Sequence, residues 1–305
     1  MGEGNPGRGA GASGGRLHSI DDAAWIAADA DIVAFLTRSP GECLRKPEED
    51  DRYLVEIGRA AFRTPMLLGG VAARGGLSCN SCHRDGRSNP DFFMTDLSGA
   101  PGTADVTSSL FSKSRDDGVL NPVPIPDLVG AGTKTSFGSH GAKTLDEFIS
   151  GAIVEEFDGA APPASIVAGL VAYVGHLDAA ACPTKPGKTT VKSAMSDVSR
   201  ALRAADAAIA RGDPAADLML VAAQSGLGRV HQRFDSLAEE RQAIEDLSRD
   251  IGALRALAGD APQAARPGVR KAIDEVKELR RRLHAARERS LYDERAIKTG
   301  AASVP

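Results

Sequence analysis

About seventy consecutive residues, Leu67 to Phe137, show few periodic apolar positions and are rich in Gly, Pro, Ser, Asn and Asp. A compact domain rarely tolerates a structureless run of that length. Such a stretch needs something to fold around. Inside it stands Cys79-Asn80-Ser81-Cys82-His83, the C-x-x-C-H pattern of covalent c-type haem attachment. The spacing has a physical reason: two thiols three residues apart on one turn can form thioether bonds to two haem vinyl groups. The adjacent His83 then swings under the ring to ligate iron. Cys79, Cys82 and His83 are therefore the expected cofactor-binding residues, with His83 as metal ligand and one covalent haem c as cofactor. A structural zinc site would want two more Cys or His at short spacing, and the next histidine is His140. A thioredoxin-like redox pair would want a βαβ context, whereas a Gly-Gly loop precedes the motif here.

The flanking sequence is helical, which predicts an all-α chain. Residues 1–18 read as a disordered leader. Ser19-Ile20-Asp21-Asp22 supplies a helix start, with Trp25, Ile32, Phe35 and Leu36 on one side. Further helices are expected over Arg52–Phe62, Leu145–Ile153 and Ala164–Leu177. Residues 19–182 thus form a cytochrome-c-like domain with long loops, and the Pro/Gly-rich stretch 183–190 a linker. Beyond it, Val191, Met195, Val198, Leu202, Ala205 and Ile209 are spaced alternately by four and three. The idea repeats at Leu220 to Phe234, Ile244 to Leu254 and Ile273 to Leu283. Gly212-Asp213-Pro214 and Gly259-Asp260-Ala261-Pro262 separate these seams, with a further turn expected near Asp235-Ser236. Residues 191–295 therefore read as an antiparallel helical bundle.

A net charge of −4 over 305 residues gives no case for nucleic acid as a partner. No run of about 18 apolar residues exists, so no membrane span is expected. Cys43 and Cys182 remain once the motif is set aside; they are either a disulfide pair in an oxidising compartment or two unrelated thiols. Met1 to Gly15 lacks the basic, apolar and small-residue sections of a signal peptide. A periplasmic or otherwise extracytoplasmic location is thus expected from the haem motif alone. Either the given chain begins after its signal or its start was placed wrongly.

Gly58-Arg59-Ala60-Ala61-Phe62-Arg63-Thr64-Pro65, then Leu67-Leu68, then Leu77-Ser78-Cys79-Asn80-Ser81-Cys82-His83, resembles the opening of bacterial di-haem cytochrome c peroxidases and their MauG-like relatives. Phe137-Gly138-Ser139-His140-Gly141 with Thr144-Leu145-Asp146-Glu147-Phe148, and Leu170-Val171-Ala172-Tyr173-Val174, resemble later family segments. The resemblance covers about residues 54 to 180 and says nothing of the bundle. It departs from the family in three places. The chain has one C-x-x-C-H rather than two, the inter-haem tryptophan position holds Gly138, and the distal glutamine position holds Phe148. The family's distal glutamate falls near Glu155, Glu156 or Asp158, and the resemblance implies Glu156 as catalytic acid–base in any peroxidase reading.

The sixth iron ligand is open between Met94, in the apolar stretch after the motif, and His140. The expected function is electron transfer by a single haem to a redox partner protein. The alternative is a peroxidase-like haem enzyme acting on hydrogen peroxide. A third reading has the bundle dock a partner while the haem senses or relays.

Overall fold

The computed structural model describes Leu17, residues 20–138 and residues 141–302; the rest of the expected leader, His18 and His140 lie outside them. The chain is mostly helical. The first helix, α1 (Ile32–Thr37), begins where the Asp31 carboxylate accepts from Ala34 N at 2.9 Å. The helix expected from Ser19 is thereby corrected: Asp21–Ala23 makes a single 3₁₀ turn, and the chain then passes through turns and the bridging residue Ile26 before α1. Tertiary pairing is the cause. Ile26 bridges Phe92, Phe93 N donates to Trp25 O, and Trp25 Nε1 donates to Gly75 O at 2.9 Å.

After β1 (Arg38–Ser39), α2 (Glu49–Phe62) starts on three acidic residues that suit a helix N-terminus. The long loop holds two short helices, α3 (Gly70–Arg74) and α4 (Cys79–Cys82), and the antiparallel pair β2 (Thr103–Ala104) and β3 (Val123–Pro124). α5 (Leu145–Gly151), capped by Thr144, passes into a π-helical turn over Ala152–Glu156, and α6 (Ala164–Gly175) follows. The expected linker is tied rather than free: β4 (Gly187–Lys188) pairs with β1, Arg38 opposite Lys188, and Thr189 N donates to Thr37 O.

α7 (Val191–Arg211), α8 (Ala215–Gln232), α9 (Ala238–Asp260) and α10 (Pro262–Ala286) form the bundle, broken at the expected Gly-Asp-Pro and Ala-Pro positions. Gly212 takes the left-handed conformation that closes α7, at φ 65°. α11 (Glu294–Ala302) was not foreseen. It turns back, and Ile297 joins Leu17, Ile20, Phe35 and Leu36 in a small second core.

The main core is continuous. It runs from Val55 and Phe62 of α2 through Leu170 of α6 to Val198, Leu227, Ile251 and Val276 of the bundle. The boundary expected between a cytochrome domain and an independent bundle therefore separates no two cores. Asp213, in the turn after α7, adds polar ties: it accepts from Tyr53 Oη of α2 at 2.7 Å and from Ser165 Oγ of α6 at 2.6 Å.

α2 and α6 meet at Gly58 and Gly169, where a Cβ on Gly58 would lie 1.9 Å from Gly169 O. The obstacle is backbone, so relief requires the helices to move apart. Gly58→Ala should destabilise the protein by about 1–3 kcal/mol or more in urea melts. Gly228→Ala, inside α8 with nothing within 4 Å of its Cβ, should stabilise by roughly 0.5–1 kcal/mol. Equal midpoints for the two variants would refute the close crossing.

Candidate functional site

The attachment motif occupies one helical turn. Ser78 and Ser81 close a reciprocal cap at the start of α4, with Ser78 N donating to Ser81 Oγ at 3.1 Å. This winds Cys79 to Cys82 into a helix of four residues, too short to persist without that cap. One turn brings the two cysteines to the same side. Both are unbonded thiols at the edge of the main core. Although solvent reaches part of each, burial by the surrounding chain pushes both thiols up to about 12. A redox-active dithiol shows the opposite shift.

His83 ends α4. Its Nδ1 lies 3.0 Å from Pro126 O. A carbonyl only accepts, so Nδ1 carries the proton and Nε2 keeps its lone pair. Burial lowers His83 to about 4, against smaller opposing effects of the Pro126 hydrogen bond and Asp127, so the ring is neutral at ordinary pH. A neutral imidazole fixed through Nδ1 by a backbone carbonyl is the arrangement that presents Nε2 to a metal.

The loop after His83 turns sharply. Asp85 adopts φ 54° and Gly86 φ 77°; a Cβ on Gly86 would lie 2.5 Å from Leu177 Cδ1. Asn80 Oδ1 accepts from Asp85 N at 2.9 Å, and buried Asn89 donates Nδ2 to Ser81 O at 2.9 Å. Behind the turn lies a buried ionic cluster. Arg63 Nη2 donates to Asp85 Oδ1 at 3.1 Å and to Glu42 Oε1 at 2.6 Å. Glu42 also takes Arg59 and the Tyr173 hydroxyl, the latter at 2.9 Å, and its neighbour Cys43 is disulfide-bonded to Cys182.

The remaining expected site residues are distributed differently. Met94 is half-buried with its side chain against the main core, in a turn where its own N donates to Ser98 Oγ at 3.1 Å. His140 lies outside the described residues. Glu156 is buried in the π turn and paired with Arg115 Nη1 at 2.6 Å; the same guanidinium also holds Glu155 Oε2 at 2.7 Å. Burial raises the Glu156 carboxyl, an effect Arg115 opposes. One carboxylate oxygen of Glu156, Oε1, is thus engaged by a guanidinium.

Gly138 and Phe148, two departures from the peroxidase pattern, form one contact. At φ 64°, a Cβ on Gly138 would lie 2.8 Å from the Phe148 ring. A large side chain at 138 and Phe148 exclude each other.

Pro126 and Arg63 escaped the sequence reading for different reasons. The Pro126 contribution is a backbone carbonyl, which no side chain announces. Arg63 joins residues 21 and 22 positions away, and only the fold brings them together.

The residues present fit a covalently attached haem: two free thiols on one turn and a neutral imidazole with an uncommitted Nε2. Among the described residues, no group of three or more His, Cys, Asp or Glu could hold a bare metal ion.

The ionic cluster has a pH signature. Burial alone would raise Glu42, but Arg63 and Arg59 overcome it and hold the carboxyl down to about 2, against 4.5 when free. A depressed carboxylate contributes stability above its unfolded value and loses it as pH falls towards the folded one. Stability from this cluster, roughly 3 kcal/mol, should persist to about pH 4.5 and fade towards pH 2. Urea midpoints measured across that window should fall less steeply in Glu42→Gln than in the unmodified protein; parallel slopes would refute the assignment.

Searches for similar proteins found no matching family model, no matching curated protein and no matching solved structure.

Proposed function

We propose that this chain is a mono-haem c-type cytochrome that transfers electrons outside the cytoplasm, a single-haem relative of the di-haem peroxidase group. The observation that carries the reading is the His83 imidazole, locked through Nδ1 to Pro126 O with Nε2 uncommitted, beside two free thiols on the preceding turn. Cys79 and Cys82 would hold the porphyrin edge and His83 would ligate its iron. Bound haem supplies one-electron redox chemistry.

The protein's own contribution is to keep that site still. The Ser78–Ser81 cap fixes the cysteines, the Pro126 carbonyl fixes the ring, and Arg63 through Asp85 braces the turn behind it. A rigid donor set suits electron transfer, where little rearrangement accompanies each step. Met94 or His140 would supply the sixth ligand, and Met94, in the apolar stretch after the motif, is preferred. The enzyme reading is weaker because Glu156 is engaged by Arg115 and Phe148 fills the position of a polar distal group. A redox partner protein is required on this reading.

Protein made with a c-type maturation system should retain haem after denaturation, and Cys79→Ala with Cys82→Ala should release it. Covalent haem in that double variant would sink the proposal. The ferric protein should be low spin with a weak far-red band that Met94→Ala abolishes. If His140→Ala instead turns the iron high spin, the sixth ligand is His140. High-spin ferric iron in the unmodified protein, with peroxide turnover lost in Glu156→Gln, would make the chain an enzyme.

A further inference from the structure

The attachment turn has a second face. Away from the cysteines, Ser78, Asn80, Ser81 and Arg84 line a crevice of about 240 Å³ between the turn and the bundle. At roughly 30 Å³ per water, that is room for about eight waters, or for one small metabolite.

The charges around it do not cancel pairwise. Asp22 is taken by Arg233 at 3.1 Å, Asp85 by Arg63 at 3.1 Å, and Asp197 by Arg200 at 2.9 Å. Asp21 is the lining carboxylate without such a partner among the described residues, and it is exposed. Arg84, Arg229 and Lys188 are left as surplus cations. Arg84 is the most telling of them. Its Nη2 donates to the backbone carbonyls of Phe35 and Arg38, and its guanidinium stacks 4.0 Å from the Phe35 ring. No carboxylate oxygen lies within 4.0 Å of it among the described residues. Arg229 gives Nη1 to Arg63 O at 3.1 Å and reaches only to 3.9 Å from Asp22, already held by Arg233. Asn80 spends its Oδ1 on Asp85 N and keeps its amide hydrogens unused among the described residues.

Enclosed guanidinium groups ordinarily meet an anion. Arg84 and Arg229, the exposed Lys188 ammonium and an unused amide around one crevice offer more donors than its carboxylates take up, with Asp21 at the rim the one lining carboxylate left without an ion-pair partner among the described residues. We propose that this crevice binds a small oxyanion, a phosphate or a short carboxylate, gripped by Arg84 and Arg229 with Asn80 and Lys188 completing the shell. The planar fork of arginine matches either oxyanion. The inference is independent of the haem reading, since neither cysteine nor His83 lines this crevice.

The test is calorimetric titration of the full chain with inorganic phosphate and, separately, with succinate, at constant ionic strength and with sodium chloride as control. Saturable binding of either anion is expected, weakened at least about tenfold in Arg84→Gln and in Arg229→Gln. Binding of phosphate alone, succinate alone or both identifies which oxyanion the site accepts. The Arg84 guanidinium also ties two backbone carbonyls, so folding of Arg84→Gln has to be checked. Circular dichroism checks this, and Arg229→Gln then decides alone. No saturable heat from either anion, or undiminished binding in folded Arg229→Gln, would overturn the proposal.

Discussion

The main core of this molecule is arranged around the point where α2 and α6 touch backbone to backbone. At Gly58 and Gly169 no side chain separates the two helices. Close approach lets Val55, Ile57, Ala61 and Phe62 of α2 interdigitate with Ile166, Leu170 and Tyr173 of α6, the Phe62 and Tyr173 rings meeting tilted at 57° with centroids 5.1 Å apart. α2 also packs against α7 and α8, so one helix serves two neighbourhoods. Its last turn carries Arg59 and Arg63, which reach Glu42 and Asp85 only because α2 is seated at this depth. The position of the attachment turn therefore follows from a pair of glycines more than twenty residues away in sequence.

The long loop finds its order by a different route. With few apolar anchors, it satisfies its backbone through short polar side chains. Asp105 accepts from Thr107 N and Oγ1 and from Asn121 N, which ties both ends of one excursion together. Ser98 accepts from Met94 N and donates to Thr103 O, and Thr103 accepts from Gly99 N and Ala100 N. Leu128 N donates to Gly86 O and Gly130 N to Leu177 O, closing the loop against the end of α6. Gly, Asn, Asp and Ser, read in the sequence as marks of irregular chain, here supply the hydrogen bonds that a ladder supplies elsewhere.

That difference explains what the sequence disclosed and what it withheld. The bundle was legible because its seams repeat at three and four residues and its breaks carry Gly-Asp-Pro, both local signals. Val191, Met195, Val198 and Leu202 are buried as the spacing predicts. In α10 the seam is shifted, with Ala272 buried and Ile273 half-exposed, because Ala265, Val269, Ala272 and Val276 keep the regular spacing through Pro267. The helix start near Ser19 failed because pairing with residues 91–93 outweighs local capping there. That the stretch 183–190 is pinned to β1 could not be read, because β-pairing of two residues leaves no periodicity to detect. Of the site, the cysteines and His83 were plain from spacing. Arg63, Asp85 and Pro126 were not, since their roles depend on contacts across 22 and 43 positions.

A single helical turn with two faces is what joins these threads. On a four-residue helix, positions three apart share a side, so Cys79 and Cys82 must fall together and Ser78 and Ser81 must fall together. The first side is sulfur and imidazole at the margin of an apolar core; the second is hydroxyl, amide and guanidinium facing the bundle. Apolar packing could not hold the turn from the second side without burying those polar groups unpaired. Charge does it instead, through Arg63 to Asp85 and through Arg84 to the carbonyls of Phe35 and Arg38. The same polar bracing that keeps His83 in place thus makes the boundary with the bundle hydrophilic and open.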